Sequence, residues 1–570
     1  MRIALAQINP IVGDLKGNRE WILTHIDGAR QAGADLLVFP ELATTGYPPE
    51  DLLLRPGFLQ AAASSLEQIV AATKGKDMAV LIGAPHLDGD LYNACFVVQR
   101  EEVKAIWHKQ FLPNYGVFDE ARYFAPGTES FLLRLGETLI GLTVCEDIWQ
   151  PGAPTSELAR AGAQVIVNLS ASPFHTGKVQ DREAMLVTRA RDNACHIAFC
   201  NLVGGQDELV FDGHSCVIDD SGQVLARAPG FKEHLLVVDI APEESLGRRL
   251  RDARARAARV ANPIKLPVID MLTPDPHANR PTPALAPILG ELDEMQAALV
   301  LGLHDYMTKS GFRDVVLGLS GGIDSALVCA LATQALGSEH VHAVSMPSRY
   351  SSDDTQSDAR LLAENLGIDF REVPIEGVIN GFGEALAPSF AGLAADVSEE
   401  NIQARARGTL LMALSNKFGW LVVSTGNKSE MAVGYATLYG DMVGGFALIK
   451  DVFKTDVFRL ARHINENAGR EVIPTSTIER PPTAELREAQ ADTDSLPPYD
   501  VLDPILAAYV EEDRSRVELE REFDPFLVDR VLHMVDRAEY KRRQSPPGVK
   551  LRPKAFGRDR RTPITNRWVD

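Results

Sequence analysis

Short apolar runs of β-rich composition recur along this chain, usually with a helical stretch before the next one. That alternation restricts the possible folds more than any other feature. In the first 240 residues the runs are IALAQI (3–8), LLVFP (36–40), MAVLIGAP (78–85), YNACFVV (92–98), TLIGLTVC (138–145), AQVIVNLS (163–170) and HIAFCNLV (196–203). Strands with little polar alternation are buried on both faces. SELARAGA (156–163) and REAMLVTRARDNA (182–194) carry helical patterning between them. Layered α/β structure is the expectation.

The second half repeats the style with clearer crossovers. A helix over 289–311 precedes the strand VVLGLS (315–320), a glycine turn and the helix SALVCALATQAL (325–336). The strand VHAVSMP (341–347), a helix over 353–367, the strand IDFREVPI (368–375), a helix over 400–419 and the strand WLVVSTG (420–426) follow. Strand–helix–strand order predicts a doubly wound parallel sheet. Between the halves, RRLRDARARAARV (248–260) reads as a solvated helix face, and seven prolines fall between Pro263 and Pro287. Such a stretch resists both helix and central strand, and predicts an ordered linker laid over the surface. The expected organisation is a domain over 1–245, a basic and proline-rich linker over 246–287 and a second domain over 288–570. At 570 residues the chain is long enough for two large domains.

With 58 Lys and Arg against 78 Asp and Glu, the net charge is −20, which argues against a nucleic-acid groove but not against a small anionic ligand. No run approaches the ~18 apolar residues of a membrane helix, and the start lacks a signal-peptide pattern, so the expected location is cytoplasmic, with no membrane partner. The six cysteines form no CxxC pair, which predicts neither a disulfide framework nor a structural metal.

Residues 317–326, LGLSGGIDSA, run from a buried strand through Ser320-Gly321-Gly322 into a helix. Glycines let the backbone approach a ligand closely, and the first amides of a helix attract phosphate oxygens. Asp324 would repel phosphate unless a divalent cation lay between them, which implies Mg²⁺. GLSGG also fits the G-x-S-x-G nucleophile elbow, but that reading leaves the Asp-Ser tail unexplained. A Walker A loop is absent.

The string S-G-G-x-D-S resembles the pyrophosphate loop of ATP pyrophosphatases. The stretch STGNKSEMAVGYATLYGDMVGGFALIKDVFKTDVFRLA (424–461), with PPTAEL (481–486) and EYKRR (539–543), resembles the NAD synthetase family over the whole second half. The resemblance implies a Rossmann-like ATP pyrophosphatase domain that adenylates the nicotinate carboxylate of deamido-NAD and lets ammonia displace AMP. It implies ATP contacts at Gly318, Leu319, Ser320, Gly321, Gly322, Ile323, Asp324, Ser325, Thr425, Lys454 and Thr483. It implies deamido-NAD contacts at Asn401, Glu430 and Lys541, and Mg²⁺ at Asp324 and Glu430.

Three segments of the first half hold residue types suited to amide chemistry. PELATTGYPPEDLL (40–53) places Glu41 after a strand, WHKQFLPNYGVFDEARYF (107–124) carries Lys109, and LTVCEDIWQP (142–151) places Cys145 at a strand end. A thiolate can attack an amide, a carboxylate can take its proton and an ammonium can stabilise the oxyanion. In this order and with these flanks the set resembles the nitrilase superfamily, which implies an α-β-β-α sandwich. KQFLPNYGVFDEARYF is similar to the glutaminase domain attached to bacterial NAD synthetases. That resemblance implies glutamine contacts at Tyr115, Ser172 and Lys178, with Glu120 supporting the lysine.

Together the halves imply glutamine hydrolysis through a Cys145 thioester and use of the released ammonia at the adenylated carboxylate. A protected internal route is expected, because free ammonia at neutral pH is mostly non-nucleophilic ammonium. The implied partners are small molecules (deamido-NAD, ATP, glutamine) and further copies of the chain in a homo-oligomer. RNA thiolation on the same loop is the competing reading. The charge of −20 and the missing CxxC count against it.

Overall fold

Each apolar run of the first half becomes a strand, and in the sheet built on the first of them alternate residues face two different cores. The computed structural model describes residues 1–251, 253, 257, 263–273, 284–483, 485–487 and 490–568. The chain forms two units: 1–206 with 210–289, and 207–209 with 290–570.

In the first unit one sheet has six strands, in the order His234–Asp239, Arg2–Gln7, Leu36–Val38, Ala79–Asp88, Asp90–Gln99 and Glu102–His108. The other has seven, in the order Val224–Arg227, Cys216–Ile218, His196–Asn201, Val165–Ser170, Thr138–Val144, Leu132–Leu135 and Val268–Met271. Ile3, Leu5, Leu36 and Val38 of the first sheet share a core with Leu142, Val144, Val165 and Val167 of the second. Ala4, Ala6, Leu37 and Phe39 point the other way, onto Ile22 and Ile26 of the helix Leu15–Gln31 and Leu66 and Ile69 of Pro56–Ala71. Leu158 and Leu186, from the helices Thr155–Ala161 and Lys178–Asn193, cover the second sheet. The layers are therefore α-β-β-α, as the nitrilase resemblance implies.

Two features depart from the sequence reading. Within the proline-rich stretch, Val268–Met271 pairs in parallel with Leu132–Leu135 as an edge strand. Only one face of such a strand must donate, which suits a segment with prolines nearby. Residues 274–283 of that stretch lie outside the described residues, as do 252, 254–256 and 258–260 of the arginine-rich run. Of that run, Arg249 is not solvated: it is buried and donates to the carbonyls of Ala194, Gly162 and Ala163. These belong to the C-terminal ends of two helices, where unpaired carbonyls favour a cation. A guanidinium carries enough donors to serve both ends at once, and that overrides the solvation expected of a charged run.

The second unit contains a five-stranded, all-parallel sheet in the order Asp369–Glu372, Val341–Ser345, Val315–Gly318, Leu421–Ser424 and Phe446–Ala447. The chain order is third, second, first, fourth, fifth, so the direction of winding reverses beside Val315–Gly318. Ligands of doubly wound sheets bind at the carboxyl ends of the strands where the order reverses. All six cysteines are free and buried. No helix among the described residues is long and apolar enough to cross a membrane.

Candidate active sites

The first unit gathers Glu41, Lys109 and Cys145 across 68 and 36 residues of sequence. Glu41 follows the strand Leu36–Val38. Its turn packs so closely on the neighbouring strand that a Cβ on Gly83 would lie 2.2 Å from the Pro40 carbonyl oxygen. Only glycine admits that approach. Lys109 directly follows the strand Glu102–His108. Cys145 sits between the strand Thr138–Val144 and the short helix Glu146–Trp149 with φ +43°, a left-handed conformation that a non-glycine residue holds only when its surroundings impose it.

Lys109 and Glu41 are wholly buried, and Cys145 is 3% exposed. The Lys109 ammonium donates to Glu41 Oε1 at 2.6 Å and to Glu120 at 2.8 Å. Asn93 Nδ2 and the Ala171 N–H donate to the two oxygens of Glu41 at 2.7 and 3.0 Å, and the Tyr47 hydroxyl donates to Glu120 at 2.8 Å. Burial opposes charge on Lys109, but Glu120 and Glu41 outweigh it and hold the ammonium well above the usual lysine range. Burial, and then the Glu41 carboxylate, push the Cys145 thiol far up, so the resting sulfur is protonated. Two of the three ammonium protons are engaged by carboxylates, which leaves one for a developing oxyanion.

Asp147 fastens these elements together and was missed in the sequence. One of its oxygens accepts the N–H groups of Gln110 and Phe111, both at 2.9 Å. The other accepts the Val144 N–H at 2.9 Å and the Trp107 indole at 3.3 Å. The carboxylate thus ties the segment around Lys109 to the turn that carries Cys145. Its only sequence signal is an acid two residues after the cysteine, in the first turn of a helix.

Beside this cluster, the Tyr115 hydroxyl donates to Glu146 at 2.9 Å, although the ring is 59% exposed. The Lys178 ammonium lies 4.4 Å from the centre of the Trp149 ring, and burial lowers its pKa. Ser172 is buried, its N–H bonded to Asn201 Oδ1 at 2.9 Å.

In the second unit a cavity of about 300 Å³ opens at the end of Val315–Gly318. Gly318, Leu319, Ser320, Gly321, Gly322, Ile323, Asp324, Ser325, Thr425, Glu430, Lys454 and Thr483 all line it. Gly321 has φ +82°, and a Cβ there would fall 2.1 Å from the Thr355 carbonyl oxygen. Ser320 Oγ accepts from the Gly322 N–H, and Ser325 Oγ donates to the Gly322 carbonyl at 3.0 Å, which stiffens the turn. Lys454 is buried between Asp324 and Glu430, ion-paired to the first and 3.3 Å from the second. Asn427 caps the helix Lys428–Val433, accepting from the Glu430 N–H, and donates to Asp324 Oδ1 at 2.9 Å. Burial raises the Glu430 carboxyl to about 8; Lys454 opposes the rise and Asp324 adds to it.

Asn401 and Lys541 do not line this cavity. They meet on the turn beside it: Asn401 accepts from the Thr437 hydroxyl, and Lys541 donates to the carbonyls of Gly434 and Ala436, both at 2.7 Å. Arg407 and Arg480 do line the cavity and were not singled out in the sequence. Arg480 donates to the Gly321 carbonyl and pairs with Asp358, so it braces the loop from behind. Ala484, within PPTAEL, lies outside the described residues.

A buried Glu-Lys-Cys cluster in an α-β-β-α sandwich and a phosphate-type loop at a parallel switch point define a two-site carbon–nitrogen enzyme. Residues 2–246 match the carbon-nitrogen hydrolase family and residues 295–545 the NAD synthase family. Over its whole length the chain is 48% identical to the glutamine-dependent NAD(+) synthetase of Thermotoga maritima, covering 99% of that protein. It is 46% identical to that of Aquifex aeolicus, covering all of it. The solved structure of the glutamine-dependent NAD+ synthetase from Acinetobacter baumannii, in complex with ADP, superposes with a TM-score of 0.74. It has 40% identity, and 99% of this chain and 98% of that one are covered. The chain belongs to the glutamine-dependent NAD(+) synthetase family.

Proposed function

We infer that the chain hydrolyses glutamine in its first unit and uses the ammonia in its second to convert deamido-NAD into NAD at the expense of ATP. The buried Glu41–Lys109–Cys145 cluster carries this reading, because burying an ammonium and carboxylates beside a thiol is costly for a fold, and clusters of such shifted groups mark functional sites.

Cys145 Sγ attacks the glutamine side-chain amide while Glu41 takes the thiol proton. Lys109 stabilises the oxyanion, and Glu41 returns the proton to the departing ammonia. Water then cleaves the thioester, with Glu41 again as base, and releases glutamate. Glu120 holds Lys109 charged and in place. Tyr115, Ser172 and Lys178 would bind glutamine.

In the second unit the amides and hydroxyls of residues 320–325 would hold the ATP phosphates, joined by Thr425, Lys454 and Thr483. The nicotinate carboxylate attacks the α-phosphorus and expels pyrophosphate. Ammonia then attacks the acyl carbon, and AMP leaves. Glu430 from the cavity lining, and Asn401 and Lys541 from beside the neighbouring turn, would contact deamido-NAD. Asp324 and Glu430 offer the hard carboxylate oxygens that Mg²⁺ takes alongside phosphate oxygens. Among the described residues no group of three or more His, Cys, Asp or Glu could hold a metal unaided, so the substrate's oxygens would complete the shell. When bound, Mg²⁺ would offset charge between Asp324 and the phosphates. The oligomer implied by the family resemblance is measurable by light scattering.

The deciding assay follows NAD formation from deamido-NAD, ATP and Mg²⁺ with either glutamine or ammonium. Both nitrogen sources should support it. Cys145→Ala should abolish the glutamine reaction and keep the ammonium reaction; loss of both would make Cys145 structural. Asp324→Ala should cripple both, and survival of NAD formation would remove Asp324 from the ATP site.

A further inference from the structure

Ser170 ends the strand Val165–Ser170, one position beyond the Val144–Leu169 pair of the parallel ladder. The Cys145 N–H bonds to the Leu169 carbonyl at 2.8 Å, so the residues that follow the Val144–Leu169 pair, Cys145 and Ser170, stand side by side. The ladder continues to fix this neighbourhood from both flanks. Asn168 Nδ2 donates to the Cys145 carbonyl at 3.3 Å, and the Ala171 N–H donates to Glu41 at 3.0 Å. Ser170 is therefore bracketed by a residue that holds the nucleophile's backbone and one that holds the base.

Its side chain is wholly buried, and its hydroxyl has no hydrogen-bond partner. An unpaired buried hydroxyl is destabilising, and most native proteins avoid one. A neighbour does face it: the Ser170 hydroxyl acts on the Cys145 sulfur and opposes the rise that burial imposes on the thiol. A neutral thiol is a weak acceptor, whereas a thiolate is a strong one. The hydroxyl thus lacks a good partner at rest and would gain one as the sulfur ionises.

We propose that Ser170 is a further catalytic residue of the glutaminase site, its hydroxyl donating a hydrogen bond to Cys145 Sγ as the thiol gives its proton to Glu41. No bond is made or broken at Ser170, and its proton stays on oxygen. Lys109 serves the oxygen of the substrate, and Ser170 serves the sulfur. The proposal rests on Cys145 as nucleophile, so Cys145→Ala is run alongside.

The test compares the full-length protein with Ser170→Ala and Ser170→Thr. Cys145 alkylation by iodoacetamide is followed by peptide mass spectrometry across the accessible pH range, together with kcat and KM for glutamine. Ammonium-driven NAD formation and the unfolding temperature report on folding. Ser170→Ala should lower the alkylation rate and the glutamine kcat about 10-fold, the size expected for one hydrogen bond to a charged group. The alkylation profile should move upward by about one pH unit, with KM and the ammonium-driven rate unchanged and no fall in the unfolding temperature. Ser170→Thr, which keeps the hydroxyl, should restore the profile. The proposal is overturned if Ser170→Ala alkylates with the wild-type profile, or if glutamine rate, ammonium rate and unfolding temperature fall together. Glutamine turnover persisting in Cys145→Ala would instead overturn the nucleophile assignment.

Discussion

The two sites place charge in opposite ways. In the first unit Glu41 and Lys109 are sealed from water, and every polar contact is made by the protein itself. In the second, the loop 318–325 lines a cavity of about 300 Å³, and its hydrogen bonds fix the shape of the turn rather than a pair of buried charges. The substrates explain the difference. A glutamine amide is small and neutral, so its oxyanion must be met by groups that are already desolvated and oriented. A nucleotide brings its own charge and bulk, so the protein supplies room and backbone amides. The glutaminase site consequently depends on balance among buried charges, and the synthetase site on the shape of one turn.

Four substitutions break or sharpen that contrast. Lys109→Met should have the largest effect, because it leaves Glu41 and Glu120 buried without their cation. Stability should fall by about 3–5 kcal/mol, and glutamine-driven NAD formation should vanish. Chemical denaturation beside the two nitrogen assays tests this; an unchanged midpoint would show that the charges are not balanced by Lys109. Gly321→Ala attacks shape instead of charge. Its φ of +82° and the 2.1 Å approach to Thr355 should displace the loop and slow both NAD-forming reactions about 100-fold, while glutaminase turnover persists. Equal loss of glutamine hydrolysis would show that the two sites are not separable.

Asp147→Asn probes a buried acid through pH. Burial raises the Asp147 carboxyl from 3.8 to about 6 against the pull of its N–H donors. Between those values the folded protein binds the proton more tightly than the unfolded chain, so this residue's contribution to stability declines as pH rises. Asparagine should remove that slope from urea titrations and reduce glutamine turnover about 10-fold by loosening the tie between the Lys109 segment and the Cys145 turn. A slope identical to wild type would refute the assignment. Tyr115→Phe should act least. It removes one hydrogen bond at a half-exposed ring and should raise KM for glutamine about 3-fold, with kcat and the ammonium rate unaltered.

Much of this was legible in the sequence, for local reasons. TLIGLTVC, AQVIVNLS and HIAFCNLV became Thr138–Val144, Val165–Ser170 and His196–Asn201 because near-continuous apolar runs admit little but buried strands. The strand Glu102–His108, which delivers Lys109, escaped notice because EVKAIWH alternates charge with apolar residues and its burial comes from a hairpin partner. The helix Glu376–Phe390 was missed as well. Gly377, Gly381, Gly383 and Pro388 interrupt its helical pattern, and none of its residues is buried. Asn427 stood within a quoted motif, yet its bond to Asp324 spans 103 residues and has no local signature.

The sequence by itself determined the chemistry available: a cysteine at a strand end, an acid and a lysine with distinctive flanks, and a glycine loop followed by Asp324. Those features depend on residue type and short spacing, which the chain carries directly. Only the tertiary structure decided the pairings. It set Lys109 between two carboxylates, placed Lys454 between Asp324 and Glu430, bound Asn401 and Lys541 to a turn beside the cavity, and put an unpaired Ser170 hydroxyl beside Cys145. Each pairing joins distant segments or adjacent strands. Its free energy comes from desolvation and orientation, and these exist only once the sheets have closed around the groups.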